Sequence, residues 1–250
     1  MSGHSKWSQI KRQKGATDAR RGQLFTKLGR EVTVAAREGG PDPDANPRLR
    51  MAVQRAREAN MPMETVDRAI KRGSGSGEGA ALEEITYEGY GPGGAAILVE
   101  ALTDNRNRTV AEVRNAFTRG GGSLGESGCV AWNFESRGII AIESNGQDAE
   151  EVALQAIDAG ADDFSVDDRL IEVYTDPGEV ERVRSALEQR SLMVASAEAA
   201  MVPKTTLEID QKDAVSVAKL MERLEDLEDV QRVYTNLELS EEALQELTAR

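Results

Sequence analysis

Chemically reactive side chains are scarce in this sequence. It has one histidine, His4, and one cysteine, Cys129, in 250 residues. A lone cysteine excludes an internal disulfide and any multi-cysteine zinc site. A lone histidine, six residues or fewer from Lys6 and Ile10 in a polar stretch, excludes a histidine-based triad or a histidine general base in a pocket. Aromatic residues are few as well: two Trp, four Tyr and four Phe. No apolar run is long enough to cross a bilayer. Gly120-Gly121-Gly122-Ser123 lacks the Gly-Lys-Ser/Thr ending of a P-loop, and the glycines of Gly89–Gly94 precede a strand rather than a helix that could present amides to a phosphate. Carboxylates number 44, so an adjacent pair such as Asp162-Asp163 or Asp167-Asp168 singles out no acid–base site. These absences point away from catalysis and from a bound cofactor. Removal of Met1 would leave Ser2-Gly3-His4, a square-planar geometry for Cu(II) or Ni(II), but three residues are too weak a signal to set against an expectation of no metal.

What the chain does have is segregated charge. Up to Arg30 it carries eight cations and one anion, Asp18, a net of +7. The whole chain stands at −13, which leaves −20 after Arg30. A basic end on an acidic body suits a local grip on a polyanion, because spaced cations displace counterions from phosphates. The candidate nucleic-acid contacts are Lys6, Lys11, Arg12, Lys14, Arg20, Arg21 and Lys27. Residues 1–16 contain little beyond Trp7 and Ile10 to bury and read as a mobile arm. Lys11-Arg12-Gln13-Lys14-Gly15 does not suggest the amphipathic helix of a transit peptide, and no apolar core follows Arg20-Arg21 as an export signal needs. With the lone cysteine, this leads to the expectation of a cytoplasmic protein that is not bound to a membrane.

Taken in order, the periodicity predicts three helices. The first starts at Thr17 or Asp18 and ends at Gly39-Gly40, with Phe25, Leu28, Val32 and Ala35 or Ala36 on one face. Asn46 caps a second that starts at Pro47, and a third carries Val66, Ala69 and Ile70 before Gly73. Three short helices form a small bundle. Gly73–Ala80, GSGSGEGA, reads as a flexible linker that lets the bundle move. Strands follow at 85–87 and 95–102, then a helix from Thr109 to Thr118 with Thr109 and Glu112 as a capping box, then a strand from Cys129 to Phe134. The stretch 138–197 has the β-α-β-β-α-β order of a ferredoxin-like sandwich. Leu207–Ile209, a helix from Asp213 to Leu227 and Val230–Leu237 then complete the interrupted module. The expected fold class is α+β: an N-terminal three-helix bundle over residues 1–76, a ferredoxin-like sandwich made of 81–135 with 204–250, and a second one, 136–203, inserted in it.

Arg106 and Arg108, between a strand and a helix start, face the positive end of the helix dipole, where a cation is disfavoured. They either serve an external anion or pair with Asp104, Glu112 or a neighbouring carboxylate. No Lys/Arg-Gly-Phe/Tyr-Gly-Phe run of an RNA-recognition module is present. Phe25, Phe117, Trp132, Phe134 and Phe164 fit core positions; Tyr87 and Tyr90 could stack on bases, with packing at the hairpin as the alternative.

Five ordered segments carry a resemblance. GHSKW (Gly3–Trp7), DARRGQLFTKL (Asp18–Leu28), YEGYGPGG (Tyr87–Gly94), LTDNRNRT (Leu102–Thr109) and DVQRVYTN (Asp229–Asn236) together resemble the YebC family of gene-expression regulators, which includes the mitochondrial translational activator of cytochrome c oxidase subunit I. The resemblance implies a helical domain with two α/β domains, and either DNA-binding transcriptional regulation or activation of translation at the ribosome, through ribosomal or messenger RNA. Phosphate contacts are common to both ligands, so the residues alone do not separate DNA from RNA. The acidic α/β part could instead meet the ribosome or another protein as an interaction adaptor.

Overall fold

The computed structural model describes residues 18–75, 82–167 and 170–238. Three helices open the described chain: α1 (Asp18–Gly39), α2 (Pro47–Glu58) and α3 (Met63–Ser74). Leu28, Val32, Ala35 and Ala36 recur at helical spacing on α1 and meet Leu49, Val53 and Ala56 of α2 and Val66 and Ala69 of α3. Asn46 joins two helix ends. Its side-chain oxygen accepts from the Leu49 amide at 3.1 Å, capping α2, while its Nδ2 donates to the carbonyls of Ala35 at 2.8 Å and Gly40 at 2.9 Å, where α1 stops. Gly73 corrects the linker reading. It is buried inside α3, and a Cβ there would stand 2.2 Å from the Thr33 carbonyl oxygen of α1. The glycine is where two helix backbones touch. The remainder of the expected linker, from residue 76, lies outside the described residues.

Next come β1 (Glu83–Tyr90), β2 (Ala96–Thr103), α4 (Arg106–Arg119) and the two-residue β3 (Ser123–Leu124). The helix begins three residues before the expected capping box, because Asn105 is the cap and accepts from the Arg108 amide at 3.1 Å. Thr109 is buried instead. The strand expected at Cys129–Phe134 is also absent. There the chain makes a turn and a short 3-10 segment, Ala131–Asn133, since the Glu88 carboxylate takes the amides of Gly128, Val130 and Ala131 that a strand would have used in a ladder. Trp132, expected in the core, is 68% exposed, and Phe164 lies on an exposed edge.

The second sheet is built from β4 (Phe134–Glu143), α5 (Ala149–Asp158), β5 (Asp163–Asp167), β6 (Leu170–Thr175), α6 (Val180–Gln189) and β7 (Met193–Pro203). Its order, β5-β6-β4-β7, all antiparallel, is that of a ferredoxin-like sandwich. Both helices pack on one face through Val152, Ala153, Ala156, Val183 and Leu187. β4 and β7 pair along their length, from Phe134↔Pro203 to Glu143↔Met193, so β7 is longer than the expected Leu192–Ala197.

After the second sheet, α7 (Gln211–Glu225) and β8 (Val230–Thr235) return to the first, whose order is β3-β1-β2-β8. Leu207–Ile209 is not a strand; only a bridge from Leu207 to Leu237 forms. Helices α4 and α7 cover one face of this sheet, with Phe117, Leu220, Met221 and Leu224 against Ile97, Val99 and Val233. On the opposite face Ala96, Leu98 and Tyr234 meet Phe134, Ile139 and Ala200 of the second sheet. The architecture is α+β, a helical bundle with two four-stranded antiparallel sheets, each backed by two helices.

Candidate nucleic-acid interface

Two of the recognised segments, and Arg30 two residues beyond a third, converge on one buried carboxylate. Asp229, just before β8, is 1% exposed. It accepts from Thr109 Oγ1 at 2.7 Å, Thr103 Oγ1 at 3.1 Å, Arg108 Nη2 at 2.8 Å and Arg30 Nη1 at 2.8 Å. Burial works against its charge, but these donors, Arg108 foremost, outweigh burial and hold the carboxyl below its ordinary pKa. Arg108 also reaches Asp104 at 2.8 Å. Both carboxylates act to keep its guanidinium charged, with Asp229 the stronger. The first turn of α4 therefore tolerates this cation because a carboxylate lies beneath it.

The predicted contact residues do not all share one surface. Lys27 donates its ammonium to the carbonyl of Glu225, the last residue of α7, where the helix dipole favours a cation. Three residues on, Arg30 binds the Glu228 carbonyl at 3.0 Å, its carboxylate at 2.6 Å, and Asp229. Lys27 and Arg30 thus fasten α1 to the turn between α7 and β8. Arg106 is 70% exposed, with Glu83 at 3.6 Å. Arg21 is exposed on the first turns of α1. Lys6, Lys11, Arg12 and Lys14 lie outside the described residues, as does His4, and the side chain of Arg20 is not described. Sequence reasoning missed Asp229 and Thr103, because a single acid and a single threonine carry no pattern of their own. The only signal was that each falls at the edge of a recognised segment.

A cleft of about 590 Å³ lies between α1, α2 and the sheets. Its wall includes Lys27, Arg48, Arg55, Arg232, Glu31 and Glu100. Glu31 of α1 binds Arg55 of α2 at 2.7 Å and Arg232 of β8 at 3.3 Å, while Arg55 also reaches Glu198 of β7 at 3.7 Å. Burial disfavours the Arg55 charge, yet Glu31 and Glu198 hold its pKa above the ordinary value. Tyr234, fully buried, donates to Glu100 at 3.1 Å; burial first, and the carboxylates Glu100 and Glu198 after it, push its phenol well up. The cleft's cations are largely answered by carboxylates, so it is a ligated seam between elements. Among the described residues no group of three or more His, Cys, Asp or Glu could hold a metal ion, and no helix is long and apolar enough to cross a membrane.

Comparison with known proteins agrees with this layout. A family model described as the TACO1/YebC protein N-terminal domain matches residues 5–76, and one described as the TACO1/YebC second and third domain matches residues 82–237. A probable transcriptional regulatory protein of Pelotomaculum thermopropionicum is 53% identical over 243 residues, covering 96% of this chain and 100% of the relative. One from Moorella thermoacetica is 56% identical over 242 residues, covering 96% of each. A crystal structure of a conserved hypothetical protein from Aquifex aeolicus is similar with a TM-score of 0.81 and 47% identity, covering 90% of this chain and 93% of that one.

Proposed function

Because the chain belongs to the TACO1/YebC family, whose curated relatives are named probable transcriptional regulatory proteins, we propose that it is a non-enzymatic regulator of gene expression that binds nucleic acid, DNA in the transcriptional reading, through its basic N-terminal end. The protein works in the cytoplasm without a cofactor. The observation that supports this is the charge segregation, +7 up to Arg30 against −20 beyond it. Lys27 and Arg30 bind groups of the protein itself, and the reading assigns the phosphate contacts to Lys6, Lys11, Arg12, Lys14, Arg20 and Arg21.

Six phosphate contacts give a slope of log affinity on log salt of roughly −5 on duplex DNA and about −4 on a single strand. The test is a salt titration of the full chain and of a chain lacking residues 1–21, against duplex DNA, ribosomal RNA and whole ribosomes. Truncation flattens the slope and weakens binding most at low salt. Equal slopes and affinities on every ligand would falsify the reading and turn attention to a protein partner. Crosslinking in growing cells then sorts genomic DNA from ribosomal and messenger RNA.

A further inference from the structure

The segment YEGYGPGG has no part in the basic end, yet the structure gives it a surface of its own. Tyr90, at the end of β1, is 39% exposed, and Trp132 is 68% exposed. The Tyr90 hydroxyl donates to the Cys129 carbonyl at 2.9 Å, and the Trp132 indole N–H donates to the same oxygen at 3.0 Å. Both rings are tethered by their polar edges to one atom. The loop that carries that atom is itself fixed. Glu88 takes the amides of Gly128 at 2.6 Å, Val130 at 2.8 Å and Ala131 at 2.7 Å. Asn133, next to the tryptophan, exchanges two hydrogen bonds with Thr205, each of 3.0 Å. Lys204, on that same neighbouring loop, donates its ammonium to the Trp132 carbonyl at 3.3 Å. Among the described residues Lys204 has no carboxylate within ion-pair distance.

Resting on the nucleic-acid reading above, we infer that Trp132 and Tyr90, flanked by Lys204, form a stacking platform for unpaired bases of a single-stranded nucleic acid, separate from the basic end. A large aromatic residue left mostly in water needs a reason, and ten aromatics in the chain make this one harder to overlook. Aromatic grooves that grip peptides use the ring-edge donors on the peptide's carbonyls. Here both edge donors are consumed by the Cys129 carbonyl, which leaves ring faces and an adjacent ammonium. Ring faces stack on any base, and a neighbouring cation answers the phosphate that follows it. A duplex keeps its bases stacked inside, so the ligand is a single strand, a loop or a frayed end. Because the loop is already held by Glu88 and Asn133, little ordering is left to oppose binding.

Trp7→Phe leaves Trp132 as the sole indole, so its emission reports the platform directly. The probes are oligouridylate, oligodeoxyuridylate and the abasic sugar–phosphate oligomer of equal length. The base-bearing strands quench Trp132 and the abasic one does not; the two strands together show whether ribose or deoxyribose is preferred. In a chain with its native Trp7, Trp132→Ala weakens binding of the base-bearing strands by about ten-fold and leaves the salt slope unchanged, since stacking releases no counterions. Trp132→Phe restores most of that loss and serves if the alanine variant folds poorly. Undiminished affinity in a folded Trp132→Ala chain, with the arm-dependent slope intact, overturns the platform and spares the basic-end reading. Quenching by the abasic oligomer equal to that by the others overturns it too. No binding of any of these strands by the full chain overturns the platform, and the basic-end reading falls with it only if duplex DNA, ribosomal RNA and ribosomes go unbound as well.

Discussion

Asp229 shows how much one carboxylate can hold. Asp229→Asn removes the charge that answers Arg108 and Arg30 and disturbs the hydroxyls of Thr103 and Thr109, all four of which donate to it. A loss of about 2–4 kcal/mol is expected, read as a lower denaturant midpoint. The pH dependence has a definite sign. The folded-state pKa lies below the ordinary carboxylate value, so Asp229 contributes fully above about pH 4–5 and loses that contribution as pH falls through the folded value. Glu88 behaves alike: burial raises its pKa, but three backbone amides outweigh burial and leave it depressed. Asp229→Asn therefore flattens the acid limb of a stability–pH curve; an unchanged limb contradicts the hub. The two arginines of the LTDNRNRT segment should separate in the same assay. Arg106→Ala, at an exposed site, stays within about 0.5 kcal/mol of the parent. Arg108→Ala is destabilised, because Asp229 loses its principal partner. If Arg106 also serves an external anion, its replacement weakens nucleic-acid binding with no change in melting; unchanged binding assigns it to Glu83 alone.

At the scale of elements, the helices were legible wherever periodicity and caps agreed. Asn46-Pro47 marks a helix start because an amide side chain can cap and a proline needs no donor there, and the structure has that start. Gly73 was not legible, because a glycine beside Ser-Gly-Ser-Gly looks like linker when its contact is forty residues away on α1. Gly73→Ala should cost about 1–3 kcal/mol, as the new methyl drives α3 off the Thr33 carbonyl; Ser74→Ala beside it, exposed, serves as the control. The 129–134 segment was misread for a related reason. Its composition is apolar enough for a strand, but Glu88 claims its amides, and no local pattern announces a long-range carboxylate. The Asp229 site was legible only as two separate segments, with Arg30 in neither. Their meeting depends on β2 and β8 being neighbours, which is a property of the sheet order and not of any one stretch.

For the molecule as a whole, ions join the bundle to the sheets, with Met51 of α2 packed on the core of the second. Lys27 and Arg30 reach the end of α7 and Asp229, Arg48 reaches Glu84, and Glu31 reaches Arg232. Such a seam weakens with ionic strength, as the exposed pairs are screened first. Limited proteolysis should cut between residues 75 and 79, after α3, faster at high salt than at low salt. Protection of that stretch equal to that of β2 at every salt concentration rejects a hinge there.

The ribbon of β4 and β7 has a consequence of a mechanical kind. Ten residues of β4 extend for roughly 33 Å, and they start at Phe134, which packs on the first sheet, and end at Glu143 in the far half of the second. A paired strand is stiff along its axis, and this one, held by β6 on one side and β7 on the other, rests through Phe134 and Ile139, with Ala200 of β7, on Leu98 and Tyr234. Tyr234 stands beside Arg232, which binds Glu31 of the bundle. The ribbon is thus a girder, joined by way of Tyr234 and Arg232 to the helical end.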